Sequence, residues 1–289
     1  MGNDQNGGKP ELVPTAHGNG RATRAKTKIE RRREHRWTGA RAVERRRPPP
    51  LGDIELGARH VDVWRIDLDA PQMGFTALHH LLSLDERERA LRFHRALDRD
   101  RFIAARGSLR LLLSRYQGIP PAEIVFEYGE NGKPHLPRRS SPLPLHFNLA
   151  HSGRLGLIAA TRLGSVGVDL ERVRPISDLG RLTRHLLTHR ERCWFSGLPR
   201  IQRQRGFSNI WVRKEAYLKA TGEGLSRSPA TVEVSVPPER PVRVLEVRGA
   251  PDEARRWSLS PLDPAPGYVG AVAVKRTAEA LVPSVRFHV

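Results

Sequence analysis

A single cysteine, Cys193, stands in a chain of 289 residues, with two methionines and only 6% aromatic side chains. One thiol cannot build an internal disulfide framework or a zinc site of several thiolates, so a reducing compartment is expected. No apolar run reaches membrane-spanning length, and the N-terminal segment lacks the apolar stretch of a secretory leader. These absences point to a soluble, cytoplasmic protein with no membrane partner.

Acidic residues are also few, 31 against 50 Lys and Arg, for a formal net charge of +19. Residues 1–50 hold 13 Lys or Arg and 5 Asp or Glu, so +8 of that charge sits in the first sixth of the chain. With "ERRREHR", "ERRRPPP" and few large apolar residues, residues 1–57 read as a basic, disordered tail. The remaining +11 fits a polyphosphate ligand or an acidic protein partner as well as it fits a nucleic acid. Charge alone therefore does not make nucleic acid the expected partner.

From about residue 58 the pattern becomes that of a folded domain. In "HVDVWRIDLD" the apolar positions Val61, Val63, Ile66 and Leu68 predict a strand. Ser83 and Glu86 form a capping box that opens a helix. Phe102, Ala105, Leu109, Leu112, Leu113 and Tyr116 recur at helical spacing, and Arg106 and Arg110 lie one turn apart beside that stripe. Asn131-Gly132 marks a hairpin turn ahead of Lys133. "LHFNLAHSGRLGLIAAT" reads as strand, turn and strand, with His151 in the turn. Helices are expected over 177–187, over 189–196 behind a Thr188–Glu191 capping box, and from about Asn209 to Ala220, stopping at Gly222 or Gly224. The segment from Val232 to Val289 reads as strands. "GRLGLIAAT" and "PGYVGAVAV" are alike enough to suggest two related halves.

Several residues admit two readings. In "SVGVDLERV", Asp169 and Glu171 share one face of a strand, and neighbouring carboxylates repel unless a cation lies between them. That arrangement suits a hard divalent ion, although D-x-E also occurs on exposed edge strands. Glu215 and Lys219, four apart on a helix, are either a surface ion pair worth a few tenths of a kcal/mol or part of a site. Arg106 and Arg110 fit a solvated helix flank, and His151 a structural turn.

Taken in order, "GKP" (132–134), "FNLAHSG" (147–153), "GVDLE" (167–171) and "WVRKEAYLKATGEGLS" (211–226) resemble the Sfp-type 4'-phosphopantetheinyl transferases. The upstream "LSLDERERALRF" and "RFIAARGSLRLLLSRY" are similar to the family's N-terminal helices, so the resemblance covers roughly residues 58 to 275. It implies an α+β fold of two similar α/β halves, 58–163 and 164–276, forming a pseudo-dimer within one monomeric chain, with 277–289 as a C-terminal extension. The implied reaction moves the 4'-phosphopantetheine arm of coenzyme A to a serine of an apo carrier domain, releasing adenosine 3',5'-bisphosphate. By resemblance, Asp169, Glu171 and Glu215 hold Mg²⁺ or Mn²⁺, Glu215 is the general base and Lys219 stabilises the pyrophosphate. Lys133 and His151 contact the nucleotide end, with Arg106 and Arg110 nearby, and Lys214 reaches a phosphate. One departure is Ala150, where the family often has Ser, so a hydroxyl contact from that position is lost.

Overall fold

The alternation in the first folded segment buries Val61 and Val63 completely. The computed structural model describes residues 56–57, 59–137, 144–236, 241–276 and 283–288, so nearly all of the expected tail lies outside the described residues. Strand β1 (His60–Asp67) leads into helices α1 (Phe75–His80), α2 (Leu84–Leu91) and α3 (Ala96–Gln117). A hairpin of β2 (Glu127–Tyr128) and β3 (Pro134–His135) surrounds the Asn131-Gly132 turn, and β4 (His146–Ser152) and β5 (Leu155–Thr161) follow.

The same order then recurs. Strand β6 (Val166–Arg172) precedes α4 (Leu179–Leu186), α5 (His189–Ser196) and α6 (Arg200–Thr221), then β7 (Val232–Val234), β8 (Val244–Val247), β9 (Trp257–Leu262) and β10 (Tyr268–Lys275). One sheet contains the antiparallel run β1-β5-β4, and another is the antiparallel β6-β10-β9. Both α3 and α6 have 22 residues. The architecture is α+β, as expected.

Strand alternation decides which faces meet. Val61, Val63, Leu157 and Ala159 of the first sheet share one apolar cluster with Val166, Val168, Leu170, Val272 and Val274 of the second. The opposite faces carry the helices: Ile158 and Ala160 pack with Leu109 and Leu113 of α3, and Ala271 and Ala273 with Ile210, Ala216 and Tyr217 of α6. The layers are therefore helix, sheet, sheet, helix. Fully burying one such Val, Leu or Ile is worth roughly 1.5–3 kcal/mol.

Both capping boxes form as expected, at Ser83–Glu86 and Thr188–Glu191. One expectation needs correction. Helix α6 begins at Arg200, nine residues before the apolar periodicity starts at Asn209, because Gly206 lets this Arg- and Gln-rich stretch pack against Leu198 and Trp194. The last expected strand forms as β11 (Ser284–His288), which pairs in parallel with β1. Its Arg286 Nε stands 2.6 Å from Oδ1 of the fully buried Asp62, which also accepts from Tyr116 at 2.9 Å.

Candidate active site

Helix α6 lies directly on β6, and Gly167 makes that approach possible. A Cβ at this position would overlap the Ala216 carbonyl and the Ala220 amide of the helix, so only glycine fits. Val166, Val168 and Leu170 point into the inter-sheet core, which turns Asp169 and Glu171 toward α6. Helical spacing puts Glu215 and Lys219 on the column beside the buried Ala216 and Ala220. Gly222, at φ 81°, ends the helix in the left-handed conformation.

The four groups meet electrostatically. Asp169 is only 5% exposed, and Lys219 Nζ donates to its Oδ1 at 2.6 Å. Burial raises the Asp169 carboxyl to about 7; Lys219 opposes that shift, while Glu215 and Glu171 add to it. Glu215 is also raised, first by burial, with Lys219 opposing and Glu171 contributing. Glu171 accepts a hydrogen bond from Ser152 Oγ at 2.7 Å.

Among the described residues no three acidic, histidine or cysteine side chains already converge as a metal cage. The donor set nevertheless fits a hard divalent cation. Asp169 Oδ2 and Glu215 Oε1 are buried oxygens without a hydrogen-bond partner, and three mutually repelling carboxylates face a single ammonium.

The other expected ligand residues divide. His151 is an exposed residue near the end of β4; partial desolvation by its surroundings lowers its pKa first, Lys219 and Arg101 lower it further, and Glu171 opposes. Lys133 extends from the β2–β3 hairpin and donates to the carbonyls of Val166 (2.9 Å) and Ala220 (3.2 Å), tying the hairpin to β6 and α6. Burial pushes its ammonium down to about 8. Lys133 also lines a cavity of about 910 Å³ with Asn131, Val166, Thr221 and Gly222. Arg106 pairs with Glu86 at 2.9 Å and donates to Tyr128 Oη at 2.8 Å, which holds it beside the same hairpin.

Two assignments are corrected. Arg110 is neither a solvated flank nor a coenzyme ligand. It is 2% exposed, its Nε is 2.5 Å from Glu86, and its Nη1 donates to the carbonyls of Pro121 and Ile124. Lys214 cannot reach a phosphate, because it is fully buried with its ammonium 2.6 Å from Glu191 and bonded to the carbonyls of Leu186 and Pro229. Arg110 and Lys214 each follow the first residue of their long helix by fourteen positions, and each meets the glutamate of a capping box. Sequence reasoning saw Glu86 and Glu191 only as caps. It also missed Asn148, whose Oδ1 accepts from the Val168 amide at 2.9 Å and joins β4 to β6. Its place in "FNLAHSG" was the available signal.

Comparisons with known proteins identify the family. Residues 165–273 match the sequence model of the 4'-phosphopantetheinyl transferase superfamily, and residues 69–163 match that of the 4'-phosphopantetheinyl transferase N-terminal region. The border between the two matches falls between β5 and β6. The 4'-phosphopantetheinyl transferase HetI of Nostoc is 39% identical over 226 residues, covering 78% of this chain and 92% of the relative. The 4'-phosphopantetheinyl transferase psf-1 of Bacillus pumilus is 30% identical, covering 70% and 83%. The 4'-phosphopantetheinyl transferase Sfp of Bacillus subtilis is 30% identical, covering 50% and 62%. The chain belongs to the 4'-phosphopantetheinyl transferase family, Sfp-like members included.

Proposed function

We propose that this protein transfers the 4'-phosphopantetheine arm of coenzyme A to a serine hydroxyl of apo carrier proteins or domains, with holo-[acyl-carrier-protein] synthase activity among its reactions. The observation that carries this reading is the carboxylate cluster of Asp169, Glu171 and Glu215 beside Lys219, with two buried oxygens lacking partners. Asp169, Glu171 and Glu215 would hold Mg²⁺, with Mn²⁺ as the alternative. When bound, the ion neutralises pyrophosphate charge.

The serine oxygen forms a bond to the β-phosphorus, and the bridging bond to the α-phosphate breaks. Adenosine 3',5'-bisphosphate leaves, and the serine proton passes to Glu215. Burial suits Glu215 to this task, since a raised pKa makes it a stronger base near neutral pH. The Lys219 ammonium stabilises the charge that develops on the leaving pyrophosphate oxygen. His151 and Lys133 contact the nucleotide end, with Arg106 bracing the hairpin. The two halves, with matching element order, act as an internal pseudo-dimer, so a monomer in the cytoplasm suffices.

The test is incubation with coenzyme A, Mg²⁺ and apo carrier domains of fatty-acid, polyketide and nonribosomal-peptide type, followed by mass spectrometry of the carrier serine. One phosphopantetheine per carrier is expected on at least one type. Absence of the adduct on all three overturns the proposal.

A further inference from the structure

Strands β4 and β6 are edge strands of different sheets, and they are joined by side chains rather than by a ladder. Asn148 and Ser152 lie four apart on β4, and the amides they bind, Val168 and Arg172, lie four apart on β6. Asn148 Oδ1 takes the Val168 amide at 2.9 Å, and Ser152 Oγ takes the Arg172 amide at 3.1 Å. The hydroxyl has one proton, and it goes to Glu171 Oε2 at 2.7 Å. Ser152 is therefore engaged on both sides: backbone amide in, carboxylate out.

Glu171 stands at the end of the strand face that carries Asp169, and it is only half-buried. A glutamate there has free side-chain torsions unless something holds it. The described structure gives its carboxylate one hydrogen-bond donor, Ser152. That donor belongs to the other half of the fold, one residue after His151.

We infer that Ser152 is a positioning residue for the metal site: it fixes Glu171 toward Asp169 and Glu215. This rests on the reading of Asp169, Glu171 and Glu215 as metal ligands. Hydrogen-bond partners of metal-binding carboxylates orient them and set affinity, so the effect of Ser152 falls on the ion rather than on the nucleotide.

Mn²⁺ binding to the full chain, followed by the electron paramagnetic resonance signal of the free ion with and without coenzyme A, tests it. Ser152→Ala is expected to weaken Mn²⁺ binding about 10- to 100-fold. Ser152→Thr, which keeps the hydroxyl, should recover most of that affinity, and metal-free coenzyme A affinity should change less than about twofold in either variant. Mn²⁺ affinity of Ser152→Ala within about twofold of the parent overturns the positioning role while leaving the metal reading intact. A parent chain that binds no Mn²⁺ in either condition, or binds it as well after Asp169→Asn, overturns the metal reading and this inference with it. If Ser152→Ala does not fold, Ser152→Cys takes its place. Parent-like Mn²⁺ binding by Ser152→Cys contradicts the inference, because a thiol donates poorly.

Discussion

Lys219 reaches Asp169, 50 residues earlier in the chain, at 2.6 Å, and not Glu215 one helical turn before it. A local helix pair would have left both residues on the solvent side of α6. Instead the ammonium spans from helix to strand, and Glu215 keeps an unpartnered buried oxygen. Residues that read in the sequence as neighbours on one helix act in the structure through a third residue on another element.

That arrangement makes stability depend on pH. The Asp169 carboxyl titrates near about 7 when folded, against 3.8 for the ordinary side chain. The unfolded chain loses this proton first, so the residue destabilises the fold progressively from about pH 4 to 7, with no further change above. Asp169→Asn removes the effect. In urea denaturation with EDTA, the stability of the variant relative to the parent should improve by on the order of 2 kcal/mol between pH 5 and pH 8. A difference that does not vary with pH contradicts the assignment.

Lys214 should behave as a framework residue. Lys214→Met leaves Glu191 charged and unpaired in the interior, which costs about 3–5 kcal/mol. Adding Glu191→Gln should restore part of that loss, because no uncompensated charge remains. Thermal unfolding of the single and double variants checks this, and coenzyme A affinity of the folded protein should stay within about twofold of the parent. A phosphate ligand would show the reverse: affinity lost and stability kept.

The close approach at Gly167 gives a third expectation. Gly167→Ala drives a methyl group into the backbone of α6 at Ala216 and Ala220, and neither atom is the end of a flexible side chain. A loss of about 3 kcal/mol is expected, at the upper end of overpacking effects. Because the same contact sets Glu215 and Lys219 against Asp169, transfer should fall even at temperatures where the variant remains folded. Calorimetry and a transfer assay on the same preparation check both parts. A variant with unchanged transfer would show that the approach does not set the site.

The fold and the site were legible in the sequence to different depths. Alternation along "SVGVDLERV" marked Asp169 and Glu171 as sharing a face, and helical spacing put Glu215 and Lys219 on one column, because both patterns are local. The capping boxes at Ser83 and Thr188 were readable for the same reason. The second task of their glutamates was not, since Glu86 meets Arg110 across 24 positions and Glu191 meets Lys214 across 23. Nothing local distinguishes a buried Arg110 or Lys214 from a solvated one. The first nine residues of α6 were hidden too, as their helix depends on packing at Gly206 rather than on amphipathic periodicity. The parallel docking of β11 on β1 brings Arg286 to Asp62, 224 residues away in the chain.

The most direct test of the site is single-turnover transfer by Glu215→Gln, at saturating coenzyme A and Mg²⁺ with an apo carrier that the parent modifies. Loss of the general base predicts a rate about 10²–10⁴-fold below the parent, with the variant folded and stable. A rate within about threefold of the parent would contradict the account.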